Sequence, residues 1–180
     1  MSNLEEKQEL DGLQQLDPKV ISTVFDRYFP IVFRYVRYRV SDVAQSEDIA
    51  SDVFLRLLEA VKNGKGPNSN IKAWLLSTAS HSVNDHHRKK FRRPTEEINE
   101  SYQDIQASPA EASEQRERQR RIQLAFSKLT PEQQDVITLR FEQELTLEET
   151  AAIMKKKVNA VKQLQLRALA AMNRQIDESP

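Results

Sequence analysis

Asn159, Lys162, Gln163, Leu166 and Arg167 are the residues whose chemistry is easiest to name. A helix turns about 100° per residue, which puts Asn159, Gln163, Leu166 and Arg167 on one side with Lys162 at its edge. Asn and Gln amides can bond adenine bidentately, Arg and Lys can bond guanine, and an exposed Leu can meet a thymine methyl. Val161, Ala168, Leu169 and Met172 gather on the opposite side as a face to bury. Directly ahead stand Lys155, Lys156 and Lys157, three cations suited to phosphate, a contact that positions a protein on DNA without specifying sequence.

A second set lies earlier. Ser77, His81, Asn84 and Arg88 recur at i, i+4, i+7 and i+11, so one helix face can present them together. The stretch before that helix holds Asn63, Lys65, Asn68, Ser69 and Asn70. Their amides and hydroxyls can bond the edge of an unstacked base, with cations holding the backbone. Taken alone, the stretch reads better as an ordinary polar connector. His81, Asp85, His86 and His87 do not form a metal set. His81 and Asp85 share a face, His86 and His87 point elsewhere, and no second cluster completes the ligands. No nucleophile–base pair or Gly-rich phosphate loop is legible, so the chain is expected to be no enzyme, with no cofactor and no small-molecule substrate.

Helices must position these residues. Among 180 residues only 3 are Gly and none is Cys, which excludes disulfides and cysteine-ligated zinc. No run approaches the ~18 apolar residues of a membrane span, and residues 1–17 lack the apolar centre of a signal peptide. The expectation is a soluble, cytoplasmic, all-α protein. Its zero net charge conceals a strong division. Residues 1–17 carry net −4, residues 18–94 net +7, residues 95–117 net −6 and residues 118–180 net +3. Basic blocks joined by an acidic one suit a polyanion binder.

Residues 1–17 read as a disordered acidic tail. Residues 18–94 read as a first helical domain, entered at Pro18. Val20 to Val36 recur at helical spacing, interrupted by Pro30, where a kink or break is expected. Ser46-Glu47-Asp48 reads as the cap and acidic first turn of the next helix, whose apolar face is Ile49, Val53, Phe54, Leu57 and Val61. A third helix starts near Ile71, with Trp74, Leu75, Thr78, Ala79, Val83 and His86 along a stripe and Trp74 assigned to the core. It ends in the basic run to Arg93, before Pro94. Residues 95–115 read as a flexible acidic linker. Residues 116–178 read as a second small helical domain. In it Ile122, Ala125, Phe126 and Leu129 form one face, Thr130-Pro131 restarts a helix carrying Val136, Ile137, Leu139 and Phe141, and Thr146-Leu147-Glu148-Glu149 is a capping box. Two helices around the lysine corner describe a helix-turn-helix.

Three stretches resemble the sigma-70 family of bacterial transcription initiation factors, in its extracytoplasmic-function (ECF) type with regions 2 and 4 only. Glu47-Asp48-Ile49-Ala50-Ser51-Asp52-Val53-Phe54 is similar to the family pattern E-D-(I/L)-x-(Q/S)-(D/E)-x-F. Trp74-Leu75, Ala79, Asp85 and Arg88 are similar to W-L-x-x-x-A-x-N-x-x-x-D-x-x-R, with His81 at the place of Asn. Leu129-Thr130-Pro131 through Val161-Lys162 to Arg167-Ala168 resembles region 4. There the chain departs from the usual pattern, with Lys155 at the corner's Gly, Leu164 at a common Arg and Gln165 at a core Leu.

The resemblance implies a factor that binds RNA polymerase core and directs promoter-specific initiation. Residues 18–94 would melt and hold the −10 element, with the loop from Asn63 to Asn70 taking a flipped base and Ser77, His81, Asn84 and Arg88 facing the strand. Glu47, Asp48, Ser51, Asp52 and Arg56 would dock on the β′ clamp helices. The second domain would read the −35 element beside the β flap. The acidic linker would follow the polymerase's RNA path, and an anti-sigma factor is a further implied partner. The alternatives are a helix-turn-helix regulator that is not a polymerase subunit and a helical protein-interaction adaptor.

Overall fold

The computed structural model describes residues 3–92 and 109–177. The expected linker over 95–108 lies outside the described residues. Among those described, the elements are eight α-helices and one π-helical turn, with no strand, as an all-α reading requires. They form two compact units, residues 3–92 in the first and 109–177 in the second apart from Ala152–Met154.

The first unit is built on α2 (Pro18–Arg39), α3 (Val43–Lys62) and α4 (Ile71–Arg92), which pack on one another. Val24, Val32, Tyr35 and Val36 meet Val53 and Leu57 and a row of Ile71, Leu75, Leu76, Ala79 and Val83, all buried. Each buried Leu or Val is worth about 1.5–3 kcal/mol over exposure, so this interior is what holds α4 against α2 and α3. The row on α4 is rotated from the expected stripe. Leu76 is inside, while Trp74, Thr78 and His86 are only partly buried.

Four expectations for this unit need correction. Residues 3–14 are not a disordered tail but α1 (Asn3–Gln14), which packs on α2 and α3. Its docking uses signals that apolar patterning does not register. Leu13 is buried, the Glu9 carboxylate pairs with Arg27 at 2.5 Å, and Gly12 brings the helix so near Val20 that a Cβ would lie 2.5 Å from Val20 Cγ2. Second, of the kink or break expected at Pro30 the break is absent, and α2 runs through it. Pro30 and Asp26 are both exposed, so water can solvate the Asp26 carbonyl that loses its helical donor. Third, the cap of α3 is Asp42, whose Oδ1 accepts from Gln45 N at 2.7 Å. Ser46 is buried in the helix, its hydroxyl donating to the carbonyls of Val40 and Asp42. Fourth, Asn84 is turned partly inward, as described below.

The second unit contains α5 (Pro109–Ser127), α6 (Pro131–Ile137), a π-helical turn (Thr138–Glu142), α7 (Leu147–Met154) and α8 (Val158–Asp177). Helix α5 begins within the stretch expected to be linker, seven residues before 116. Both expected helix starts are present. Thr130 and Gln133 form a reciprocal capping box with Pro131 behind the cap, and Thr146 and Glu149 form another. Val136, Ile137 and Leu139 are buried, but Phe141 is 55% exposed. Phe141 lies in the π-helical turn, where the regular α-helical spacing used to place it does not apply.

Candidate nucleic-acid interface

The corner between α7 and α8 is a three-residue turn, Lys155 to Lys157. Lys155 sits in the left-handed region at φ +53°. Lys156 N donates to Ala151 O at 2.9 Å, closing the C-terminus of α7 in the manner of a Schellman turn. Glycine serves such positions best, so the lysine carries a backbone strain of about 1–2 kcal/mol. Lys155 and Lys157 are exposed. Lys156 leans onto α6, where its Nζ pairs with Glu132 at 2.9 Å. An exposed pair of this kind is worth at most about 1 kcal/mol, so it does not withhold Lys156 from a phosphate. Lys157 is the residue before α8, and its carbonyl accepts the first helical bond from Val161 N. It has no side-chain oxygen to cap the amides that follow.

Helix α8 divides as its spacing suggests. Val161, Leu164 and Ala168 are buried, with Leu169 and Met172 partly so. Asn159, Lys162, Gln163, Leu166 and Arg167 are all exposed, Leu166 at 53%. The structure brings the five together on one outward face, with Arg167 Nε donating weakly back to Gln163 O at 3.4 Å. Two departures from the sigma-70 pattern acquire a physical account. Leu164, at the place of a common Arg, is 8% exposed and belongs to the interior. Gln165, at the place of a core Leu, accepts a 3.0 Å hydrogen bond from Arg140 Nε.

In the first unit the loop between α3 and α4 is shaped by its own caps. Gly64 at φ +68° follows Asn63, and the amides of Gly64 and Lys65 return to the carbonyls of Val61 and Ala60. Gly66 lies over Val61, where a Cβ would meet Cγ2 at 2.7 Å. Asn63, Lys65, Asn68 and Ser69 are exposed at the rim. Asn70 is exposed too, but its side chain is engaged. Its Oδ1 accepts from Ala73 N at 2.8 Å, which makes it the cap of α4 and leaves its amide nitrogen to a ligand.

On α4, His81 and Arg88 are exposed. His81 Nδ1 lies 2.6 Å from Ser77 O, and Arg88 pairs with Asp85 at 2.7 Å. Ser77 is partly buried. Asn84 Oδ1 accepts from Arg39 Nη2 at 2.6 Å, and Arg39 Nη1 donates to Tyr35 Oη at 2.8 Å. Arg39 is 6% exposed, so Asn84 anchors a buried cation and offers only its amide donors outward. No three His, Asp or Glu side chains gather as a metal set among the described residues.

The acidic face of α3 carries Glu47, Asp48, Ser51 and Arg56 exposed, with Asp52 half-buried and bound to Arg56 at 2.7 Å. Phe54 is core, its ring 5.0 Å from that of Phe25 and 5.9 Å from that of Phe29. Leu55 was missed from the sequence. It is 59% exposed and lies one turn on from Ser51 and Asp52, an apolar knob within a charged surface. Its signal was its step outside the row Val53, Phe54, Leu57 and Val61.

Comparison with known proteins identifies the family. The Sigma-70 region 2 family model matches residues 24–93, and the Sigma-70, region 4 model matches residues 125–173. The ECF RNA polymerase sigma factor BldN of Streptomyces coelicolor is 34% identical over 154 residues, 84% of this chain and 58% of that protein. The chain thus spans little more than half the length of that relative. The ECF RNA polymerase sigma factor SigX of Bacillus subtilis is 30% identical over 164 residues, 86% of this chain and 82% of that protein. Among solved structures, CnrH in complex with the cytosolic domain of CnrY matches with a TM-score of 0.73 at 18% identity, covering 97% of this chain and 99% of that one. The sigma factor RpoE in complex with the anti-sigma factor NepR from Bartonella quintana matches at 0.66 and 16% identity, covering 88% and 98%. At these identities the structures speak to the fold alone. The two matched regions, in their order along the chain, and the curated relatives place it in a family: the chain belongs to the sigma-70 family of RNA polymerase sigma factors, in its extracytoplasmic-function group.

Proposed function

We propose that the chain binds RNA polymerase core and directs it to promoters, the second unit reading the −35 element as duplex and the first holding the −10 element as opened strand. The observation that carries this reading is the two-sidedness of α8. Val161 and Ala168 lie inside, and a row of amide, cationic and apolar side chains stands outward behind a corner of lysines. Such a face fits the major groove, with Asn159 and Gln163 suited to adenine, Lys162 and Arg167 to guanine and Leu166 to a thymine methyl. Lys155 and Lys157 take flanking phosphates, joined by Lys156 when it releases Glu132.

In the first unit, the amides and hydroxyl of Asn63, Asn68 and Ser69 receive a flipped base, with Lys65 on the backbone. Asn70 contributes mainly by capping α4. His81, Arg88 and the outward amide of Asn84 follow the strand, with Ser77 behind His81. The polymerase docks on Glu47, Asp48, Ser51, Asp52 and Arg56, with Leu55 as the apolar anchor among charges. Bond-making belongs to the polymerase, and this chain contributes specificity. Relatives of its fold are held by partner proteins in their solved complexes, and an anti-sigma partner is part of the same reading, as is a cytoplasmic site of action. Among the described residues no helix is long and apolar enough to cross a membrane.

Replacing Lys162 and Arg167 by Ala tests the division of labour. Promoter recognition by the holoenzyme should fall while core binding is unchanged. Equal loss of both would contradict it.

A further inference from the structure

We propose that Arg140 is a positioning residue for promoter recognition: by tying Gln165 to the backbone of Leu145, it sets the rotation of α8 about its own axis. The inference rests on the reading of α8 as the −35 helix. Arg140 lies in the π-helical turn and is partly buried. Its guanidinium makes two bonds to different parts of the unit. Nη1 donates to the carbonyl of Leu145, and Nε donates to Gln165 Oε1 at 3.0 Å. Leu145 is buried, its own amide returns to Leu139 O at 3.1 Å, and it immediately precedes Thr146, the cap of α7. The fork therefore joins the entrance of the helix-turn-helix to the middle of its second helix.

A directional bond matters here because the apolar contacts of α8 specify its angle weakly. Its buried side chains are Val161, Leu164 and Ala168, and apolar burial is non-directional. Side-chain tips on a helix lie about 5–6 Å from the axis, so a rotation of roughly 10° moves them by about 1 Å. A hydrogen bond to a base edge does not survive such a shift, since its distance window is about 0.5 Å wide. Gln165 lies next to Leu166 and two residues from Gln163 and Arg167, so holding its side chain holds the helix backbone that carries all three. Arginine suits the task because its planar fork bonds two acceptors in set directions, whereas a lysine offers one point charge.

The test uses holoenzyme reconstituted from core polymerase and the full chain. It is bound to a library of promoter duplexes randomised across the upstream element. The readout is the affinity ratio between the preferred and scrambled upstream sequences, with thermal stability and core affinity measured alongside. Gln165→Met keeps the side-chain length and removes the amide oxygen. It should lower the ratio about fivefold or more, the loss of at least one base contact, with binding to the scrambled duplex unchanged. Gln165→Glu retains an acceptor and should hold the ratio within about twofold of the parent. Should Gln165→Met unfold, Arg140→Lys decides, and it should lower the ratio as well. Loss of preference in the Lys162→Ala, Arg167→Ala double variant together with full preference in Gln165→Met and Arg140→Lys overturns the positioning role and leaves the reading helix standing. Full preference in all of them overturns both.

Discussion

Replacing Lys155 by Gly should make the protein more stable and its DNA binding less salt-sensitive at the same time. The residue holds φ +53° at the corner of the helix-turn-helix, where a side chain costs about 1–2 kcal/mol. Glycine removes that cost but brings about 0.5–1 kcal/mol of extra chain entropy to lose on folding. The net expectation is a gain of roughly 0.5–1 kcal/mol. The same change deletes one cation from the lysine corner proposed to face phosphate, so the slope of log affinity against log salt should become shallower by about 0.9. Lys155→Ala separates the two effects, because it keeps the Cβ and loses the charge. It should show the shallower slope without the added stability. Urea unfolding by far-UV circular dichroism gives the stability, and hydrogen exchange in α7 and α8 assigns it to the corner. Holoenzyme binding to a duplex on which it initiates, titrated from 50 to 200 mM salt, gives the slope. An unchanged slope for both variants would refute the phosphate role, and a less stable Lys155→Gly would refute the account of the backbone.

Three further outcomes follow from the first unit. Gly12→Ala puts a Cβ 2.5 Å from Val20 Cγ2, so it should cost about 1–3 kcal/mol and expose α1 to limited proteolysis. Unchanged cleavage would mean α1 is not docked. Asn84→Leu takes an acceptor from the buried Arg39 guanidinium and should cost about 1.5–3 kcal/mol in denaturant titration, whatever its effect on DNA. Tyr28 is buried with its hydroxyl 3.4 Å from Glu9, and burial, then the Glu9 charge, raises its pKa above 10.0. A raised phenol favours folding while it stays protonated, so this contribution is complete below pH 10.0 and is lost as pH climbs through the folded value. Tyr28→Phe should flatten the alkaline fall in stability; a fall as steep as the parent's would place its origin elsewhere.

Much of the architecture was legible because it rests on periodicity and caps. The two faces of α8, the Thr130 and Thr146 starts and the glycine turn after α3 are local features, and local chemistry decided them. What was not legible depends on partners distant in sequence or on choices among equivalent groups. Asn70 can cap a helix or meet a base, and only the direction of α4 shows its oxygen turned to Ala73 N. Asn84 shares a face with Ser77 and Arg88, but a buried Arg39 from α2 draws its oxygen inward. Asp42 and Ser46 are both good caps four residues apart, and burial of Ser46 settles the matter. Helix α1 was hidden because its docking relies on a missing side chain at Gly12 and a paired carboxylate at Glu9, neither of which marks an apolar face. The π turn that holds Arg140 and Phe141 has no signature in residue spacing.

In the function proposed above, this chain gives RNA polymerase its choice of promoter. The direct measurement is transcription by core polymerase on genomic DNA, with and without the purified chain, followed by sequencing of transcript 5′ ends. New starts should share one upstream and one downstream element at constant spacing, and should weaken when Lys162 and Arg167 are replaced. Binding to core with no new starts would contradict it.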